Sequence, residues 1–127
     1  MNLRIDIAPN RSVVVHLGGQ LDAASSGFVK RQVVALTRTG FFRGLILDLT
    51  QVSWIDRAGL ALLRESAQAV RGMGGELRLA SAGEQLQPLL IPITNQVPCF
   101  DSVEAAIAGD LLPLAAMHFA GATYELA

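Results

Sequence analysis

The chain has 127 residues, a length that suits one domain with a single sizeable core and makes a second domain unexpected. Hydrophobic residues make up 51% of the sequence and charged residues 17%, a composition that excludes general disorder. Ten basic residues against eleven acidic ones give a net charge of −1, so the chain lacks the strong positive field that attracts nucleic acid. We therefore expect no direct nucleic-acid partner.

Alternating residues at the amino terminus predict a β-hairpin. Leu3, Ile5 and Ile7 alternate with charged residues, and a second apolar run covers residues 13–17. The glycines at 18–19 are expected to end this second strand.

The middle of the chain is expected to alternate between helices and strands. A helix capped by Ser25 or Ser26 should end before Gly40, and the leucines over residues 45–49 predict a strand. From Ala58, apolar residues recur at helical spacing until a cluster of glycines. The remaining predicted elements are a strand over 77–79, a short helix over 84–90, a strand near Phe100 and a helix from Ser102 to Ala108.

This order of elements predicts an α/β domain over residues 1–108. Its sheet should be mixed and mostly parallel, because helices separate most of the strands, and the helices should lie mainly on one face. The alternating strands favour this arrangement over a sheet buried on both sides. Residues 109–127 form an apolar extension for which packing on the domain, a homodimer contact and partner docking remain open.

Secretion, membrane insertion and disulfide formation are not expected. Charged residues interrupt the amino terminus where a signal peptide needs an apolar run, so a cytoplasmic location is expected. The apolar segment 111–120 is about half the length that spans a bilayer, and we expect no membrane insertion. Cys99 is the single cysteine and is interpreted as a buried structural thiol.

The sequence contains little that favours an enzyme. His16 lies in an apolar strand and His118 in the extension, without metal-ligand spacing or a nucleophile motif. The glycines at 72–75 follow a predicted helix instead of opening one, so they are interpreted as a helix stop and not as a phosphate loop. We expect no catalytic residues, no cofactor and no metal.

Several motifs in order resemble the STAS domain, the fold of bacterial anti-sigma factor antagonists. They are Gly19-Gln20-Leu21-Asp22, Leu47-Asp48-Leu49-Thr50, Trp54-Ile55-Asp56, Gly59-Leu60 and Gly74-Gly75-Glu76-Leu77. In that family a serine follows the aspartate of the central motif, and a partner kinase phosphorylates it. This chain has Arg57 at that position, and a guanidinium has no hydroxyl to phosphorylate.

The resemblance implies a protein-binding site, which we call the rim. Asp56 is expected to cap the following helix, with or without a direct partner contact, and Gly59 to allow a close approach of neighbouring backbone. Trp54 is interpreted as core packing, and Ser25 and Ser26 as capping residues in preference to alternative phosphosites. Arg57 is interpreted either as a solvated residue or as the pairing partner of an acidic group or an anion. The rim comprises Asp22, Ser25, Asp56, Arg57, Ala58, Gly59 and Leu60.

The function implied by the resemblance is that of an anti-sigma factor antagonist. It would bind an anti-sigma factor of the serine kinase type, or another regulatory protein, and release a sigma factor. Two alternatives remain open. One is a non-switching STAS module of a signalling scaffold or lipid-transport complex, and the other is a sensor of a small ligand or nucleotide.

Overall fold

The computed structural model describes residues 1–40 and 42–109, which form five strands, four α-helices and one short 3₁₀ helix. The strands are β1 (Asn2–Ala8), β2 (Ser12–Leu21), β3 (Gly44–Ile55), β4 (Glu76–Ala80) and β5 (Cys99–Phe100). The helices are α1 (Ala23–Thr37), α2 (Arg57–Gly72), α3 (Gln87–Leu90) and α4 (Val103–Ala108), with the 3₁₀ helix over Ile91–Ile93.

The strands form one mixed sheet in the order β1-β2-β3-β4-β5. β1 and β2 are an antiparallel hairpin, while β2, β3, β4 and β5 run parallel to one another. Each parallel step requires a crossover, which α1, α2 and the segment containing α3 provide. The predicted mixed, mostly parallel sheet is confirmed.

Most helices lie on one face of the sheet, as predicted. The main core forms where residues such as Val15 and Leu47 of the sheet meet Val33 of α1, Leu63 of α2 and Leu90 of α3. On the opposite face, α4 covers a smaller cluster. This second cluster comprises Val14, Ile46, Ala80 and Ala106.

Both strands that lead into the rim are longer than the sequence predicted. β2 does not end at Gly18 but continues to Leu21, with register irregularities between His16 and Gly18 and between Gly19 and Gln20. Gly19 has a φ of 107°, which a residue with a Cβ rarely adopts, so here glycine permits a bulge instead of ending the strand.

The carboxyl-terminal predictions fall partly within the described residues. Ser102 caps α4 by accepting a hydrogen bond from the Ala105 N–H, as predicted. Residues 110–127, including His118, lie outside the described part of the chain. In residues 1–40 and 42–109, no helix has the length and apolar character needed to cross a membrane.

Candidate functional site

The sheet brings the two halves of the rim to the same edge. Leu21 at the end of β2 and Ile55 at the end of β3 are paired in parallel register. The next residue on each strand is an aspartate, Asp22 or Asp56, and each aspartate caps the following helix. The Asp56 N–H also donates a hydrogen bond of 3.2 Å to the Leu21 carbonyl. The two helix starts are therefore joined directly.

Asp22 and Ser25 fix the start of α1 through a reciprocal capping box. The Asp22 Oδ1 accepts hydrogen bonds of 3.1 Å from the N–H groups of Ala24 and Ser25. The Ser25 Oγ in turn accepts a 3.1 Å bond from the Asp22 N–H and donates at 2.7 Å to the Gln20 carbonyl. The N-cap is thus Asp22, and the prediction that Ser25 or Ser26 occupies this position was wrong.

Ser25 is buried beneath the rim. Its hydroxyl is already engaged with the backbone of Gln20 and Asp22, so Ser25 supports the loop and does not present a hydroxyl to solvent. This geometry gives Ser25 a structural role as the capping-box partner of Asp22 and does not favour a phosphosite.

Asp56 caps α2, as predicted. Its Oδ1 accepts a 3.0 Å hydrogen bond from the Gly59 N–H, one of the backbone donors that a helix start leaves without an intrahelical partner. The carboxylate is half-buried and lies at the positive end of the helix dipole. A structural role for Asp56 is therefore established by geometry, whether or not it also contacts a partner.

Gly59 allows α2 to pack directly against the end of β2. A Cβ placed on Gly59 would lie 2.2 Å from the Leu21 carbonyl oxygen and 3.0 Å from Cγ2 of Ile55. No side chain fits into this space without moving the backbone. The predicted close approach is confirmed, and it sets the position of the whole first turn of α2.

Arg57 is the first residue of α2 and is exposed. Within residues 1–40 and 42–109, its guanidinium has no hydrogen bond or ion pair. Ala58 and Leu60 beside it are half-buried, and Leu60 packs against the main core. The rim therefore presents the positive charge of Arg57 next to Asp22 and Asp56, the two carboxylates that cap α1 and α2.

Trp54 is exposed beside the rim, so its interpretation as core packing was wrong. Its relative exposure is 49%, whereas the neighbouring Ile55 is buried in the main core. Since β3 continues to Ile55, successive side chains point to opposite faces, and Trp54 faces away from α1 and α2. The α4 helix packs near Ile46, much earlier on β3, and leaves Trp54 uncovered.

A polar network lies on the sheet face away from α1 and α2. The His16 Nδ1 is 2.6 Å from Asp48 Oδ2, and its Nε2 is 2.8 Å from Asp6 Oδ2. Thr50 donates to Asp48 Oδ1 through its hydroxyl at 2.6 Å and through its N–H at 3.0 Å. His16 is thus satisfied by side chains of the neighbouring strands β1 and β3.

Burial raises the pKa of Asp48, but hydrogen bonds from Thr50 and His16 outweigh burial and hold it below the usual value. Burial raises the pKa of the Cys99 thiol to about 11, in agreement with a structural thiol. Over residues 1–40 and 42–109, no group of His, Cys, Asp and Glu has the arrangement of a metal site.

Two anti-sigma factor antagonists are similar in sequence to this chain. The anti-sigma-B factor antagonist of Bacillus subtilis (strain 168) is 29% identical over 87 residues, covering 68% of this chain and 78% of that protein. The anti-sigma F factor antagonist of Paenibacillus polymyxa is 26% identical over 91 residues, covering 71% of this chain and 78% of that protein.

A solved structure shows the same fold. An anti-sigma factor antagonist from Mycobacterium paratuberculosis superposes with a TM-score of 0.71 at 16% identity, covering 84% of this chain and 90% of that chain. The sequence profile of the STAS domain matches residues 3–106, which include every strand and helix that leads into the rim. The chain therefore belongs to the STAS domain family.

Proposed function

We propose that this protein is an anti-sigma factor antagonist that binds an anti-sigma factor through the rim and thereby releases a sigma factor. Two relatives of similar length carry the name of such antagonists, and both match most of this chain. These names favour an antagonist over a non-switching module of a scaffold or transport complex. They also favour it over a sensor of a small ligand or nucleotide.

The observation that carries the proposal is the direct junction of the two helix starts. The bond from the Asp56 N–H to the Leu21 carbonyl and the close contact at Gly59 hold the rim in one arrangement. A surface held in this way loses little conformational entropy when a partner binds.

Arg57 gives the rim a positive charge that neither pH nor phosphorylation of this residue removes. A guanidinium stays charged at any ordinary pH and cannot accept a phosphoryl group. We therefore propose that Arg57 pairs with an acidic group of the partner, and that binding proceeds without phosphorylation control at this residue. The anti-sigma factor is expected to be of the serine kinase type.

Affinity capture tests the proposal. The full chain would be incubated with each purified anti-sigma kinase of the source organism, with and without ATP, and titration calorimetry would measure the affinity of any complex. A complex that releases its sigma factor on addition of the chain supports the function. Failure of every kinase to bind, with nucleotide present as well, would overturn it.

Charge reversal then tests whether Arg57 contacts the anti-sigma factor. We expect Arg57→Glu to weaken the complex at least tenfold, because it puts like charges together at the contact. Arg31→Glu, on the exposed surface of α1, is the matched control and should leave affinity unchanged. Equal affinities for the two variants would place Arg57 outside the contact.

A further inference from the structure

The edge strand β1 has an exposed side that the described part of the chain does not cover. β1 pairs with β2 along one side, from Asn2 with Gly18 to Ala8 with Ser12. Its other side is the end of the sheet within residues 1–40 and 42–109. An edge strand presents a row of N–H and C=O groups that can pair with another strand.

β1 lacks two of the devices that keep an edge strand from pairing, a bulge and a proline. Its register with β2 is continuous, without a bulge, and it contains no proline. Ile5 and Ile7 are 38% and 69% exposed, although they occupy the sheet face that carries the main core. A regular strand with uncovered isoleucines is suited to association.

The sequence of β1 is complementary to itself in the antiparallel direction. If two copies pair with Ile5 opposite Ile5, then Leu3 lies opposite Ile7 and Arg4 lies opposite Asp6. The apolar residues share one face, because Leu3 packs against the main core and is paired with Leu17 of β2.

Arg4 and Asp6 share the other face with His16. Arg4 is the register partner of His16, and the Asp6 carboxylate accepts from the His16 ring at 2.8 Å. The side chains of Arg4 and Asp6 are 71% and 53% exposed and lie 3.4 Å apart within the chain, so both remain accessible to a second copy. Each copy would supply one cation and one anion to the other.

Charge also selects this register over its neighbours. Moving the centre of pairing to Arg4 places two guanidinium groups opposite each other, and moving it to Asp6 does the same for two carboxylates. Like charges directly opposite are unfavourable, whereas the register centred on Ile5 forms two opposite-charge pairs. Such exposed ion pairs add little affinity, so their main effect is to fix the register.

We propose that two copies of this chain associate through their β1 strands, antiparallel and centred on Ile5, into one continuous sheet. This interface is isologous, since each contact occurs twice about a two-fold axis. β2 of one copy then runs opposite to β2 of the partner, so the two rims lie at opposite ends of the dimer. Both rims stay accessible, and the inference does not depend on the proposed function.

Analytical ultracentrifugation of the full chain over a concentration series tests the proposal. We expect a reversible monomer–dimer equilibrium. Arg4→Glu and Asp6→Lys should each raise the dissociation constant at least tenfold, because each variant puts like charges opposite each other. Arg31→Glu is the control with an equal change in net charge at an exposed position of α1.

Mixing the two charge variants gives the sharper result. In an equimolar mixture, the introduced glutamate faces the introduced lysine, and the native Asp6 faces the native Arg4. The mixture should therefore associate about as tightly as the wild-type chain, although each variant alone associates at least tenfold more weakly. Ile7→Lys provides a separate test that leaves the His16 contacts in place, and it should also weaken association. Circular dichroism would verify that every variant folds.

Three outcomes would overturn the proposal. The first is a wild-type chain that stays monomeric at the highest concentration, as it would if residues 110–127 covered β1. The second is a dimer that Arg4→Glu and Ile7→Lys leave intact, which would place the interface elsewhere. The third is a mixture of charge variants that remains monomeric.

Discussion

Gly59 determines how closely α2 approaches β2 at the rim. The nearest atom to a Cβ at this position would be the Leu21 carbonyl oxygen, at 2.2 Å. A backbone carbonyl within a strand cannot rotate away as a side chain does, so α2 itself would have to move. Such a movement would also strain the bond from the Asp56 N–H to the same carbonyl.

We expect Gly59→Ala to lower the free energy of unfolding by about 1–3 kcal/mol, the usual cost of overpacking. This loss should appear although alanine has the better helix propensity. Gly72→Ala in the same helix is the control, since no atom lies within 4 Å of its Cβ position and it should gain up to about 1 kcal/mol. Urea unfolding measures the stability of both variants. Equal free energies of unfolding for Gly59→Ala and Gly72→Ala would contradict the close contact at Gly59.

We propose that Arg57 is the position at which this chain lacks the phosphorylation switch that its resemblance to anti-sigma factor antagonists implies. Its position is exposed, at the first turn of α2, where a helix start favours a negative group. We expect Arg57→Ser to accept phosphate from the anti-sigma kinase that the chain binds, while the wild-type chain accepts none there. Intact-mass spectrometry after incubation with ATP measures this. Arg57→Ala should stay unmodified, and phosphate on it would place the modification elsewhere.

At the scale of elements, the His16 network joins β1, β2 and β3 on one face of the sheet. The lowered pKa of Asp48 means that the folded chain holds this carboxylate in its charged form more strongly than the unfolded chain does. Its contribution to stability is therefore present above the unfolded pKa, about 4, and is lost as pH falls through the lower folded pKa.

We expect Asp48→Asn to cost about 1.5–3 kcal/mol at neutral pH, because it removes charge-assisted hydrogen bonds from His16 and Thr50. The difference from the wild-type chain should shrink as pH falls below about 4. Urea unfolding across a pH series measures it, with the exposed Asp101→Asn as control. A difference that is constant with pH would show that the carboxylate charge contributes nothing.

The elements that could be predicted from sequence are those with a clear internal pattern. Alternation identified the hairpin, and the apolar spacing from Ala58 identified α2. The end of β2 could not be predicted, because Gly18 and Gly19 locally indicate a break, whereas their bulged pairing depends on β3. The exposure of Trp54 likewise depends on how far β3 extends and on which helix covers its far face.

Within the rim, the cap at Asp56 and the close approach at Gly59 could be predicted, but the other internal contacts could not. Asp56 and Gly59 follow strand-to-helix patterns that local rules describe. The buried position of Ser25 could not be predicted, because its hydroxyl also bonds the Gln20 carbonyl on the extended part of β2. Contacts of this kind depend on register between strands that are distant in sequence.

At the scale of the whole molecule, α4 covers part of the face of the sheet opposite α1 and α2. Arg78 on β4 is almost fully buried, and its Nη1 donates to the carbonyls of Ala106 at 2.5 Å and Gly109 at 2.6 Å. Its Nε pairs with Glu76 at 2.7 Å. The end of α4 thus satisfies a buried guanidinium, which is costly to leave without partners.

We propose that the domain needs nothing beyond this point, and we expect a chain shortened to residues 1–109 to unfold cooperatively. A chain shortened to residues 1–102 should lose at least about 1–3 kcal/mol, because it removes the two carbonyl groups to which the buried Arg78 Nη1 donates. Arg78→Met in this shorter chain should recover part of the loss, which separates the buried charge from lost packing. Urea unfolding followed by circular dichroism measures all three, and failure of the 1–109 chain to fold would extend the domain into residues 110–127.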